Sequence, residues 1–189
     1  MIFFAETFNF INGVGTVLFQ LATLAIIVIW VNAHFGKSIS LVASAQKCLG
    51  WIGERAVLLG FIVTGAALAG SLVYSEIIGF DPCKLCWIQR IFIYPQVLIL
   101  GLALWKKTKD AATYCFWLSI IGLIVAAYHY YGQMFNPSAL PCVAAGAGSC
   151  AVRFFVEFGY ITIPLMSFSV FGLLSVLMFI ANSDGDTRK

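Results

Sequence analysis

The chain has 189 residues, of which 61% are hydrophobic and 10% charged, where a soluble domain runs about 45–50% apolar and about 25% charged. A water-soluble globule of this size could not hide so much apolar side chain, so cytosolic-enzyme and nucleic-acid-binding classes are excluded and the chain belongs in the lipid bilayer. Eleven Lys and Arg against eight Asp and Glu leave a net charge of +3, which implies no polyanionic partner.

Crossing the hydrocarbon core takes about 20 apolar residues at roughly 1.5 Å rise each. Five stretches qualify, 11–33, 55–78, 86–105, 111–133 and 160–181. The first reads as a retained helix, because MIFFAETFNF carries no positive charge and no short apolar core follows it. After it, GKSISLVASAQKCLG sets Ile39, Val42 and Leu49 among polar residues, a pattern suited to a short helix lying on the membrane surface. The second span is rich in Gly60, Gly65, Ala66, Ala69 and Gly70, which suits close helix packing. The third carries Gln89, Arg90 and Pro95. Between the fourth and fifth, residues 134–159 form the one sizeable loop, broken by NPSALP, Gly146 and Gly148. Its stretch AVRFFVEFGY places Val152, Phe155 and Phe158 where a second surface helix could lie.

Lys and Arg set the orientation. With the 34–54 and 106–110 segments and the C-terminus on one side, that side collects eight positive residues, counting Arg55 at the start of the second span, and the other keeps Lys84, Arg90 and Arg153. The N-terminus is then expected outside and the C-terminus inside, as an odd number of spans requires. Four of the six cysteines, Cys83, Cys86, Cys142 and Cys150, land outside, where disulfides form and persist. Cys48 in the inner segment and Cys115 within a span read as small apolar fillers.

Cys83 and Cys86 form a CxxC in DPCKLCWIQR, at the mouth of the third span. Asp81 is expected to cap that helix and Pro82 to take its first position. The two cysteines then share one helical face at about 5–6 Å between β-carbons, near enough for a disulfide after modest adjustment. Unpaired N–H groups at the helix start favour a thiolate, so the pair should be reactive. Arg90 lies one turn deeper on the same face, where a cation usually marks function. Its plainer reading is snorkelling to outer headgroups. Cys142 and Cys150 enclose seven loop residues, and a loop pair beside a helix-mouth pair suits a two-stage thiol–disulfide relay. Two stapling disulfides are the structural alternative. Zinc is disfavoured by the seven-residue gap, and no metal is expected.

A relay needs an electron acceptor. The chain has no GxGxxG strand–helix fingerprint for a flavin or nicotinamide, and its two histidines, His34 and His129, fall at opposite faces. A lipid-dissolved quinone remains, ubiquinone or menaquinone, seated beside Cys86 with Arg90 donating to a carbonyl oxygen. His129 and Gln133, one turn apart near the outer end of the fourth span, are candidates to line the same pocket.

Taken together, CKLCWIQR before an apolar span, YHYYGQ ending the next, then PC-x7-C and EFGYITIPLMS resemble the DsbB family of disulfide-forming membrane proteins. The short loop gap and ITIPLMS look most like its disulfide formation protein C (BdbC-type) branch. The resemblance covers about residues 55–181. It implies a four-helix transmembrane bundle in 51–181; the extra helix and inner loop of 1–50 depart from that pattern, and 182–189 is expected to be a short cytoplasmic tail. It also implies a bacterial cytoplasmic-membrane enzyme that keeps a DsbA-like thioredoxin-fold partner oxidised. By that resemblance Cys142 would take the partner's cysteine, Cys150 would pass electrons to Cys83, Cys86 would form the thiolate complex with quinone, and Arg90 would position it. The competing class is a non-enzymatic membrane protein stapled by two outer disulfides. A vitamin-K-epoxide-reductase-like enzyme is disfavoured by order, since its CxxC would follow the loop pair rather than precede it.

Overall fold

The structure is a computed structural model that describes residues 2–36, 39–108, 110–140 and 149–186. Five helices, α1 (Ile2–Phe35), α2 (Ile39–Leu72), α3 (Lys84–Lys106), α4 (Ala111–Met134) and α5 (Ile163–Asp186), carry almost all of the described chain. Each is long and apolar enough to cross a membrane, so the protein is an all-α, multi-pass integral membrane protein. Among the described residues the β-structure is a single isolated bridge between Glu157 and Ile161.

Helices α2, α3, α4 and α5 form a four-helix bundle, and α1 lies outside it in the groove between α2 and α5. Lipid tails are as apolar as leucine, so such helices are held by close packing and interhelical hydrogen bonds rather than by escape from water. Both devices are present. A β-carbon on Gly122 of α4 would run into the Phe171 ring of α5, so only glycine admits that approach. The buried Ser119 hydroxyl of α4 donates to Gln96 Oε1 of α3 at 3.1 Å, and Gln20 Nε2 of α1 donates to Ser169 Oγ of α5 at 3.0 Å. The outward faces carry the exposed Leu18, Leu24, Leu98 and Ile124 that lipid requires.

Three local expectations change. The inner segment is no separate surface helix: α2 runs unbroken from Ile39 to Leu72, with Leu49 and Ile52 buried in the core. A division of the chain at residue 50 therefore falls inside α2. The AVRFFVEFGY stretch is not helical either. Phe158 (φ 50°) and Gly159 (φ 79°) turn left-handed, and Phe154 stacks on Phe80 at 4.4 Å between ring centroids while Phe155 stacks on Tyr74 at 5.6 Å. Burial against these rings holds the segment down on the bundle instead of along the lipid surface. Finally, α3 begins two residues later than Asp81 and Pro82 suggest, with Cys83 itself as its cap.

Candidate active site

The start of α3 explains the character of the CxxC. Cys83 has an extended backbone (φ −70°, ψ 171°), and its Sγ accepts the backbone N–H of Cys86 at 3.4 Å. Sulfur thus does what a serine or aspartate oxygen does at an N-cap. Cys83 and Cys86 are free thiols with sulfurs 3.2 Å apart, about 1 Å beyond a disulfide bond. The hydrogen bond from the Cys86 thiol holds the Cys83 thiol well below its ordinary range. His129 and the Cys86 N–H act in the same direction, against the opposing effect of burial. Cys83 is thus the thiolate of the pair.

His129 comes from α4 and is fully buried. Its Nε2 lies 3.1 Å from the carbonyl oxygen of Cys150 and 3.8 Å from Cys83 Sγ. A carbonyl can only accept, so Nε2 carries a proton. Nδ1 is then the acceptor for Gln89 Nε2–H, at 3.0 Å. Buried Gln89 thereby fixes the tautomer, which aims an N–H between the two cysteines. Replacing Gln89 by leucine is expected to raise the pH midpoint of Cys83 alkylation by about 0.7 of a pH unit, the equivalent of one neutral hydrogen bond worth about 1 kcal/mol. Iodoacetamide labelling at a series of pH values below 6, followed by mass spectrometry, reads this midpoint.

Cys150 is disulfide-bonded and packs with Cys83, Leu85 and Leu140 in one small buried cluster. Cys142 lies outside the described residues. Cys48 and Cys115 are free and well away from this cluster; Cys115 is buried in the main core. The sulfurs of Cys83 and Cys86 and a nitrogen of His129 lie within 4.8 Å of one another, a set that soft metals also favour.

Two cavities meet at Cys86. The smaller, about 20 Å³, is lined by Cys83, Cys86, His129, Gln133, Cys150 and Thr162, and is the size of one water molecule. Gln133 Nε2 donates to Val152 O at 2.7 Å, pinning the segment before α5. The Gln133 Oε1 and Thr162 hydroxyl are buried without a protein partner. The larger cavity, about 320 Å³, lies between α1, α2, α3 and α5 with Cys86, Gln89 and Arg90 in its wall. Tyr74, Phe80 and Phe154 line its end as a stacked set of rings. The residues expected to share one pocket are thus divided: Arg90 faces the large cavity, His129 and Gln133 the small one, and Cys86 touches both.

Arg90 is tied to α2. Its Nε donates to Ser71 Oγ at 2.9 Å and its Nη2 to Ser71 O at 3.0 Å, and its guanidinium sits 5.0 Å from the Trp87 ring centroid. Tyr94 donates to the same Ser71 Oγ at 3.2 Å. A widened π-helical turn, Val73–Ile77, follows directly, a feature that often marks functional sites. From sequence, Gln89 is noted within the third span without a role, and Ser71 and Tyr94 are not singled out. Of the three, only Gln89 carried a signal, as a polar side chain within a span one turn from Cys86.

This geometry coincides with a family match. Residues 53–181 match the family described as disulfide bond formation protein DsbB. The SPbeta prophage-derived disulfide bond formation protein B of Bacillus subtilis is 46% identical over 118 residues, 62% of this chain and 78% of that protein. The probable disulfide formation protein C 2 of Bacillus cereus is 34% identical over 139 residues, 74% of this chain and 99% of that protein. The probable disulfide formation protein of Oceanobacillus iheyensis is 42% identical over 127 residues, 66% and 86% of the two chains. No solved structure matches. With its four-helix bundle, helix-mouth CxxC and disulfide-bonded Cys150, the chain belongs to the DsbB family of disulfide-forming membrane oxidoreductases, among the disulfide formation protein C homologues.

Proposed function

We propose that this membrane oxidase takes two electrons from a DsbA-like thioredoxin-fold dithiol on the outer side of a bacterial cytoplasmic membrane and delivers them to a membrane quinone. The carrying observation is the meeting of Cys83, Cys86, Cys150 and His129 beside the cavity that holds Arg90. The outer placement follows from the eight-to-three bias of Lys and Arg.

Each exchange conserves atoms and electrons. The partner's thiolate attacks Cys142 of a Cys142–Cys150 disulfide, and its second thiol then resolves the mixed disulfide, so the partner leaves oxidised and the loop pair reduced. Cys150 next attacks Cys83 of an oxidised Cys83–Cys86 pair and releases Cys86. Cys142 then displaces Cys83 and restores the loop disulfide. That end state, with Cys150 bonded and Cys83 and Cys86 as thiols, matches the cysteine states of the structure. His129 holds the Cys150 backbone against Cys83 and stabilises the Cys83 thiolate through Nε2–H.

The residues around the large cavity fit a quinone head. About 320 Å³ is within the low end of ligand sites, roughly 300–1,000 Å³, and such sites are mostly apolar with a few converging polar groups. Cys86, Gln89 and Arg90 are those groups. When bound, a quinone would supply the sink for the two electrons and the one proton, that of Cys86, released as the Cys83 thiolate and the Cys86 thiol close to a disulfide, the second proton of the quinol being taken from water. Arg90, held by Ser71, offers its remaining N–H groups to a carbonyl oxygen. The energetics require such a sink: a DsbA-type partner sits near about −120 mV, and every ~30 mV uphill costs about tenfold for a two-electron couple, which glutathione pools cannot supply.

The test is quinone reduction by the purified full chain with a reduced DsbA-type donor. Fast reduction that disappears in Cys142→Ser is the expected result. Failure with both ubiquinone and menaquinone analogues, with outer disulfides that resist a mild reductant, would overturn the reading in favour of a stapled structural protein.

A further inference from the structure

We propose that α1, which lies outside the matched region 53–181, is a working wall of the quinone cavity, and that Gly15 on it provides the space the quinone ring occupies. This rests on the quinone reading above and extends it to a part of the chain that the four-helix bundle does not include.

The helix is mostly lipid-facing, yet Ile11, Asn12, Gly15, Thr16 and Phe19 line the same cavity as Cys86 and Arg90. Of its polar residues, Asn9, Asn12, Thr16 and Gln20 are buried or half-buried, and Asn12 and Thr16 line the cavity, whereas Glu6, Thr7, Asn32 and His34 are exposed. Asn9 and Thr16 are buried, and Gln20 is held by Ser169 and by the Tyr160 hydroxyl. Polar side chains at membrane depth are costly and face an interior or a cavity. Here their polarity is trimmed inward: the Thr16 hydroxyl donates to Asn12 O at 2.7 Å and Asn12 Nδ2 to Phe8 O at 2.8 Å. The wall they present therefore suits a flat, largely apolar ring better than a charged ligand.

Gly15 separates this reading from simple helix packing. A packing glycine has a neighbour where its β-carbon would be, as Gly13 does with Phe158 at 3.2 Å and Glu157 at 3.3 Å. Gly15 has none within 4 Å, although it is half-buried and lines the cavity. Glycine costs a helix roughly 1 kcal/mol relative to alanine, and no packing contact at Gly15 offsets that. The open volume in front of it is cavity.

Added side chain at Gly15 should therefore fill the site without straining the fold. In the full chain, with a reduced DsbA-type donor and decylubiquinone or menadione as probes, Gly15→Leu is expected to raise the quinone KM about tenfold or more with kcat retained. Gly15→Ala should give a smaller rise in the same direction. Thiol exchange between donor and protein, measured without quinone, should be unchanged in both, which shows that the fold is intact. Leu18→Phe on the lipid face should leave KM unaltered. An unchanged KM in both Gly15 variants, or an equal rise from Leu18→Phe, would overturn the proposal. An unmodified chain that exchanges thiols but reduces neither probe would instead remove the quinone reading itself, so the two failures are told apart.

Discussion

Replacing Cys83 by serine is expected to abolish quinone reduction while leaving the fold intact. Serine is among the best N-cap residues, and its oxygen can accept the Cys86 N–H as the sulfur does now. The loss would therefore be chemical. A serine hydroxyl neither forms the disulfide with Cys86 nor stands as an anion at neutral pH, whereas Cys83 does the second by virtue of the Cys86 thiol, His129 and the helix-start N–H. The sign of that depression has its own consequence. A thiol held below its ordinary range is already ionised at pH 8 and remains so as pH falls to 6, so its alkylation rate should be nearly flat across that interval. An ordinary thiol, with a pKa near 8.5, loses roughly tenfold per pH unit below that value. Iodoacetamide labelling of the reduced protein between pH 6 and 8 measures this. A tenfold fall per unit would mean that the cap and His129 do not stabilise the anion. Quinone turnover persisting in Cys83→Ser would remove Cys83 from the relay altogether.

The membrane class, the five helices and the CxxC at the start of α3 were legible because each is written locally. Helix ends fell within a few residues for α3 and α4, where charge and turn residues sit at the ends. The start of α2 was not legible, because Ile39, Val42 and Leu49 look the same in a flat surface helix and in the first turns of a long spanning one. What decides between them is that Ala45, Leu49 and Ile52 meet the core, which is tertiary information. The segment before α5 failed for a related reason: spacing of Val152, Phe155 and Phe158 suggested a helical face, but the aromatic neighbours Tyr74 and Phe80 come from the π-helical turn after α2 and the connection that follows it. The same limit applies to the site. Cys83, Cys86 and Arg90 share one stretch of chain. The link from Gln89 through His129 to the Cys150 carbonyl joins residues 40 and 21 positions apart. The cavity wall contributed by α1 lies more than fifty residues from Cys86 in sequence, and no spacing rule reaches that far.

Replacing Arg90 by methionine is expected to raise the quinone KM about ten- to a hundredfold, because a hydrogen bond from a charged donor is worth roughly 1.5–3 kcal/mol. Methionine keeps the unbranched apolar stem, so the change removes the guanidinium together with its place over the Trp87 ring. Two roles compete for that guanidinium. It ties α3 to α2 through both the side chain and the carbonyl of Ser71, and it also lines the cavity beside Cys86. A strut lost from between two helices would lower thermal stability and disturb thiol exchange at Cys83 along with quinone reduction. A lost carbonyl ligand would raise KM alone, with exchange between the loop pair and the CxxC pair proceeding as before. Arg90→Lys separates them further. An ammonium can approach one acceptor as a point charge but cannot bond Ser71 Oγ and Ser71 O in the planar fork that arginine uses. If the charge at the cavity is what matters, lysine should recover much of the KM that methionine loses while the tie to Ser71 stays weakened. If methionine and lysine lose stability together and leave KM unchanged, Arg90 is a strut, and the polar contact to the quinone must be sought at another polar side chain of that wall, Gln89 first.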